Sequence, residues 1–365
     1  MAYEDEARID TSVLTSGART TLERAPIGRV PPGRGPLGRA GRAAATIGST
    51  PHHEGPAPLA EMALGGLLAR RKTLPPSLFY DEEGCRLFYE ITKVPEYYLT
   101  RTEFGLLEAI APQVAASVPV GGTLVEYGAS DETKAEMLLR QTIAGGTAPV
   151  FTGYIPIDVA APALRAMRDR LAIRRPGLIV RPVTADFMRP ILLPEREGES
   201  AIMGFFPGST IGNLEPDAAV AFLRRARSTL GSGARLLVGF DTCRDPARLL
   251  PAYDDARGVT GRFNRNLLVR LNREASATFD PAAFAHRAVW NEVESRIEMH
   301  LVSTAAQTVM VAGQPVRFVS DETIHTENSY KYAPERMRVM VEFAGWTRKM
   351  TWSDPENLFA LWLLG

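Results

Sequence analysis

The sequence predicts an α/β protein, built on a doubly wound parallel sheet with a second, α+β lobe attached. Three observations carry this. Apolar, strand-length runs alternate with helix-length segments between about residues 123 and 240, the pattern of strands joined by crossover helices. Small or acidic residues follow those runs at Gly128, Asp158, Asp186 and Gly208, where an open α/β sheet places its ligands. Beyond residue 250 the alternation stops, and longer strand-like runs take over.

In chain order, residues 1–58 are expected to be a disordered extension. Arg recurs at 19, 24, 29, 34 and 39 among Gly and Pro, and Glu23 is the only acid from 11 to 53. Such a stretch has too little apolar surface to fold. It reads as a dispensable extension or an upstream start, with a basic nucleic-acid or partner tail as the alternative. From Leu59 the apolar residues fall at helical spacing, and 59–102 is expected to be the helical part of the second lobe. Residues 103–250 hold the doubly wound domain. Its predicted strands are 123–127, 150–157, 178–183, 202–206 and 236–240, and its predicted helices are 103–114, 133–143, 161–171 and 215–230. Residues 251–365 are assigned to the second lobe, with a helix over 252–271 and long antiparallel strands over 292–303 and 307–318.

Composition narrows the chemistry. The chain has 365 residues, 45% of them hydrophobic, and 42 basic residues balance 42 acidic ones. A neutral chain argues against a nucleic-acid binder, whose footprint is basic. Two cysteines, Cys85 and Cys243, exclude a disulfide framework and suit a reducing cytoplasm. The five histidines lack HExxH or HxH spacing, so no metal is expected. No apolar run reaches membrane-spanning length, and a secretory signal is not expected.

The first predicted strand ends in Val125-Glu-Tyr-Gly-Ala-Ser-Asp131. A dinucleotide site would want G-x-G-x-x-G, and only Gly128 is present. Gly128 lets a ligand approach the backbone, while Glu126 suits an amine-bearing ligand better than a phosphate. Asp158 can accept both hydroxyls of a ribose, and Asp186-Phe187 suits an adenine. Together these point to S-adenosylmethionine rather than NAD. Lys134, one turn into the following helix, is placed to meet the methionine carboxylate, or is a solvated lysine. Each acid taken alone could be ordinary strand-end capping.

Phe206-Pro-Gly-Ser-Thr-Ile-Gly-Asn-Leu214 is the second informative loop. Gly208 and Gly212 permit close approach, and Ser209, Thr210 and Asn213 crowd polar groups onto one turn. The plain alternative is a strand-to-helix loop with Asn213 as helix N-cap.

Six short motifs in order resemble the ergothioneine-pathway L-histidine Nα-methyltransferases. They are Leu78-Phe-Tyr-Asp81, Pro95-Glu-Tyr-Tyr98 with Thr100-Arg-Thr-Glu103, Gly208-Ser-Thr-Ile-Gly-Asn213, Ala252-Tyr-Asp-Asp255 with Phe263-Asn-Arg-Asn266, Arg296-Ile-Glu-Met299, and Glu327-Asn-Ser-Tyr-Lys-Tyr332. The likeness runs from about Leu74 to the C-terminus. It implies a Rossmann-like class I methyltransferase domain plus a family-specific substrate lobe, with three methyl transfers from S-adenosylmethionine to histidine giving hercynine. It implies that Gly128, Lys134, Asp158, Asp186 and Phe187 hold the methyl donor. Tyr80 would sit near the transferring methyl. Asn213 and Tyr253 would bind the substrate carboxylate, and Gly208 and Thr210 would face the α-amine. Tyr97, Glu327 and Ser329 would recognise the imidazole, with Met299 packed on it. Alternatives are a methyltransferase for another amino acid or small amine, and a non-catalytic S-adenosylmethionine-binding module. The expected partner is small-molecule histidine, without nucleic acid or membrane, and the enzyme is expected to be a cytoplasmic monomer. One departure stands out: the family's glycine-rich Gly-Ser-Gly loop reads Gly128-Ala-Ser130 here, which places a Cβ near the donor.

Overall fold

The structure is a computed structural model, and it describes residues 56–195 and 201–365. The disordered extension expected over 1–58 therefore falls almost wholly outside the described residues. Four elements come first: α1 (Pro56–Leu67), β1 (Lys72–Thr73), α2 (Glu82–Ile91) and α3 (Tyr98–Ala116). The alternating region follows, with β2 (Gly122–Tyr127), α4 (Thr133–Leu139), β3 (Phe151–Asp158), α5 (Ala161–Arg174), β4 (Ile179–Val180), β5 (Val183–Thr184), β6 (Ile202–Phe206), α6 (Pro216–Leu230) and β7 (Arg235–Asp241). The remainder is α7 (Pro246–Tyr253), α8 (Val259–Glu274), β8 (Phe284–Asn291), β9 (Arg296–Ser303), β10 (Gln307–Val311), β11 (Gln314–Phe318), β12 (Thr323–Tyr330), α9 (Pro334–Phe343), β13 (Arg348–Ser353) and β14 (Phe359–Leu364).

The main sheet runs β13-β14-β7-β6-β2-β3-β4, with β5 also on β3. Its central strands are parallel, and β14 lies antiparallel to β7. Every residue of β2 and of β6 is buried, as expected where helices cover both faces. One face carries Leu107, Ile110, Leu138, Leu164 and Met167 of α3, α4 and α5. The other carries Phe222, Leu223, Met337 and Val341 of α6 and α9. This is the predicted doubly wound sheet.

A second sheet, β1-β12-β9-β8, stands beside a small β10-β11 hairpin. Its core draws on α1, α2, α7 and α8 through Leu67, Leu87, Leu249, Phe263 and Leu267, and on Phe79 of the 3-10 turn before α2. Four assignments need correcting. The second lobe does not run to the end of the chain, because α9 packs on α6 and β14 pairs with β7. The region also does not begin at residue 103, since α3 starts at Tyr98 and crosses that boundary. The helix expected over 252–271 is broken into α7 and α8. Between them Asp255 accepts the backbone N–H groups of Val259 and Thr260 at 3.0 and 2.8 Å, capping α8 from within the loop. The strand expected over 307–318 is folded back at Ala312 (φ 48°) and Gly313 (φ 81°) into the β10-β11 hairpin.

Candidate active site

The carboxyl ends of β2, β3 and β6 meet the second lobe here. Gly128 follows β2 at φ 74°, a left-handed conformation that favours glycine. A Cβ there would lie 3.6 Å from the Phe187 ring, so the predicted loop and the Asp186-Phe187 pair are brought together. Phe187 sits edge-on to Phe206 and Phe222, both at 5.6 Å. Asp158 lies at the end of β3 and accepts the Ala160 N–H at 2.8 Å, and burial pushes its pKa above the usual carboxylate value. Asp186 is exposed and accepts the Met188 N–H at 2.8 Å.

The Ala129 substitution is explained by where its methyl goes. Ala129 is fully buried among the α3 and α4 side chains, and only Gly128 in this loop has positive φ. The Ala129 Cβ thus belongs to the core cluster beneath the sheet edge. Glu126 also differs from expectation. It is buried, accepts the Tyr154 hydroxyl, and is pushed up to about 8, chiefly by burial. It stands behind the loop.

Lys134 is not a free surface lysine. Its Nζ lies 2.6 Å from Glu103 Oε2, while Glu103 Oε1 accepts the Gly208 N–H at 2.8 Å. Glu103, 1% exposed on α3, thus joins the first-strand side to the Gly208 turn. Gly208 has φ 78°, and a Cβ there would sit 3.3 Å from both Lys134 Nζ and Thr210 Oγ1. Thr210 donates its hydroxyl to the Pro207 carbonyl at 2.7 Å, leaving its oxygen free to accept. Ser209, at φ 55° and buried, accepts the Asp241 N–H at 3.0 Å. It is a clamp between the turn and β7.

Thr210–Asn213 form a 3-10 turn, and α6 begins at Pro216 with Glu215 as its N-cap residue. Asn213 is therefore not the helix cap. Its Nδ2 donates to Glu327 Oε1 at 3.2 Å, so the two residues assigned to opposite ends of a substrate touch each other. Gly212 has a packing role, since a Cβ there would meet the Tyr330 carbonyl at 2.7 Å. The close approach expected at Gly212 is made by the β12 backbone.

Glu327 enters from β12, opposite Met299 on β9. A bulge between His325 and Glu327 sets its direction. Burial pushes its carboxyl up to about 8, against the opposing pull of Lys331. Met299 is 2% exposed and shares the lobe's core. The Tyr253 hydroxyl is 2.8 Å from Ser329 Oγ, and the Tyr97 ring stands edge-on to Tyr253 at 6.1 Å. Tyr80 is 41% exposed, yet its hydroxyl feels both Glu327 and Asp158. Desolvation first, then these charges, hold its proton more tightly than in a free phenol. It therefore lies within electrostatic reach of both the β3 end and β12.

The family motifs also build the frame. Phe79 stacks on Phe263 at 4.4 Å. Asp81 caps α2 through the Gly84 N–H at 2.7 Å and binds Asn266 and Arg273 of α8, each at 2.7 Å. These contacts fix the loop that carries Tyr80. Residues passed over in the sequence are Tyr98, Glu103, Asp241 and Lys331. Tyr98 donates to Asp241 Oδ2 at 2.7 Å, and Lys331 pairs with the same oxygen at 2.7 Å. Three of the four lie inside quoted motifs, and their burial is the signal that spacing could not supply.

Histidine spacing also hid a cluster on the other face of β9 and β12. Glu298, His300 and His325 present ligand-type atoms within 4.8 Å of one another, and the two rings stack at 4.7 Å. Glu298 is already held by Asn291 and Arg296 at 2.9 and 2.8 Å.

A Rossmann-like sheet with glycine and acids at successive strand ends, facing a lobe with a buried acid and a hydroxyl pair, defines an S-adenosylmethionine-dependent methyltransferase. Residues 59–365 match the family described as histidine-specific methyltransferase, SAM-dependent, and the chain belongs to that family. It is 41% identical over 298 residues to the histidine N-alpha-methyltransferase of Mycolicibacterium smegmatis, covering 81% of this chain and 91% of that one. The corresponding Mycobacterium tuberculosis protein is 39% identical, with the same coverage. Ergothioneine biosynthesis protein 1 of Neurospora crassa is 30% identical over 305 residues, 80% of this chain and 33% of the relative. S-adenosylmethionine is the methyl donor of the family. Among the described residues no helix is long and apolar enough to cross a membrane.

Proposed function

We propose that the enzyme methylates the α-amine of L-histidine three times, giving hercynine, and acts as a cytoplasmic monomer. The observation that carries the substrate reading is the buried Glu327 with Asn213 bonded to it at 3.2 Å, beside the Tyr253–Ser329 pair. A side-chain acid facing the lobe's aromatic wall is an acceptor for an imidazole N–H. Asn213 and Tyr253 are neutral donors for a carboxylate. Ser329 and Tyr97 complete the imidazole side, and Met299 packs beneath it.

Gly128, Lys134, Asp158, Asp186 and Phe187 would hold S-adenosylmethionine, which supplies an electrophilic methyl on a sulfonium. Lys134 spends one of its three N–H donors on Glu103 and keeps others for a carboxylate. The chain's own contribution is mainly positioning. Thr210, whose hydrogen is committed to Pro207, accepts an amine N–H and turns the amine lone pair toward the donor side. Gly208 keeps the turn free of a Cβ there. Tyr80 stays protonated, so it relays the amine proton toward solvent and does not act as a phenolate base.

Mass spectrometry of histidine incubated with enzyme and S-adenosylmethionine tests the reading. A trimethylated product is expected; a product stopping at one methyl, or none, overturns it. Asn213→Ala is expected to weaken histidine binding about tenfold, as the loss of a hydrogen bond to a charged group does. Calorimetry showing unchanged affinity would remove Asn213 from the carboxylate site.

A further inference from the structure

Lys331 lies at the end of β12 with its side chain fully withdrawn from water. A buried ammonium is tolerated only when paired and fully hydrogen-bonded. Its three N–H donors have three partners: Asp241 Oδ2 at 2.7 Å, the Tyr253 hydroxyl at 2.8 Å and Ser329 Oγ at 3.0 Å. Asp241 is itself held by the Tyr98 hydroxyl at 2.7 Å and the Cys243 N–H at 2.9 Å. The ion pair is thus locked between β7, α3 and β12.

Counting hydrogens gives the consequence. An ammonium only donates, so Tyr253 and Ser329 both accept from Lys331. The two hydroxyls are 2.8 Å apart, and either one can donate to the other. One hydroxyl hydrogen closes that contact, and one is left over. The pair cannot face a ligand as an acceptor alone.

We propose that Lys331 is a positioning residue: by occupying an acceptor site on each hydroxyl, with Ser329 donating to Tyr253, it leaves the Tyr253 hydroxyl as a hydrogen-bond donor to the carboxylate of the bound amino acid. Asp241 keeps the ammonium fixed and neutralised, which prevents Lys331 from swinging out to pair with Glu327. This assignment rests on the histidine reading above.

The test uses the double variant K331M/D241N in the full chain, which removes both buried charges together. Calorimetry would measure binding of S-adenosylmethionine, histidine and histamine, the last being histidine without its carboxylate. Histidine affinity is expected to fall by about tenfold or more, while histamine and S-adenosylmethionine stay within about twofold. Histidine affinity that is unchanged, or that falls in step with histamine, would overturn the proposal. Tyr253→Phe keeps the ion pair and is expected to show the same selective loss; full histidine affinity in that variant would also overturn it. Histidine turnover by the unaltered enzyme tests the substrate reading separately, since only departures from that baseline bear on Lys331.

Discussion

At the scale of single residues, the site sets two buried carboxyls against their own desolvation. Glu327 and Glu126 are both pushed up to about 8. Between the ordinary glutamate value and about 8, the unfolded chain releases these protons while the folded chain keeps them. Stability therefore falls as pH rises through that window. Glu327→Gln keeps an acceptor for Asn213 and removes the titration. Its stability relative to the unaltered protein is expected to improve from pH 5 to pH 8 by on the order of 2 kcal/mol, read by denaturant melts at both ends. A flat difference across that range would mean the carboxyl is ionised when folded. Glu327→Ala should also lower histidine turnover, by as much as about 10⁴-fold, because a site built around a hydrogen bond rejects whatever cannot make it. Competition assays against tryptophan and tyrosine check the change in preference. Glu327 and Ser329 stand out in the sequence only through a motif, since a polar strand residue is ordinarily solvated. Lys331 is harder still, because nothing local tells a lysine between two tyrosines that it faces inward.

At the scale of elements, the Gly208–Asn213 turn is held from three directions. Glu103 of α3 takes the Gly208 N–H, Ser209 takes the Asp241 N–H of β7, and Gly212 lies against the Tyr330 carbonyl of β12. Gly212→Ala would drive a methyl to 2.7 Å from that carbonyl. A destabilisation of about 1–3 kcal/mol is expected from such overpacking, together with weaker histidine binding as β12 and Glu327 are displaced. Thermal melts and histidine KM check both; a normal melt with normal KM would show that the strand yields freely. The sequence marks this loop through its glycines and polar residues, yet spacing makes Asn213 a helix cap. The cap is lost because Pro216 starts α6 two residues later than that pattern allows.

At the scale of the molecule, alternating apolar runs foretell the parallel sheet and most of its strands. They do not say where the chain leaves it. Phe359–Leu364 is apolar throughout, and such a run fits any buried strand. Its antiparallel place on β7 is decided by pairing partners more than a hundred residues away. The second lobe therefore joins the segment before α3 to an excursion between β7 and α9, and the chain returns from that excursion to the main sheet. The family match spans residues 59–365. Deletion of residues 1–55 is expected to leave kcat and histidine KM unchanged, and steady-state kinetics of the shortened chain checks this. A large rise in KM would assign the arginine-rich segment a part in the reaction.

The bulge at Thr326 has a consequence for how this enzyme could change its preferences. Side chains alternate along a strand, so the extra residue works as a parity switch. It lets His325 stack on His300 on one face while Glu327, two positions later, turns to Asn213 on the other. Residues two apart in a regular strand share a face, so without the bulge those two neighbours could not both keep their present faces. The aim of the acid is thus set by a count of residues as much as by their chemistry. Regular pairing with Thr326 retained would turn the acid out of the pocket without altering any side chain that lines it.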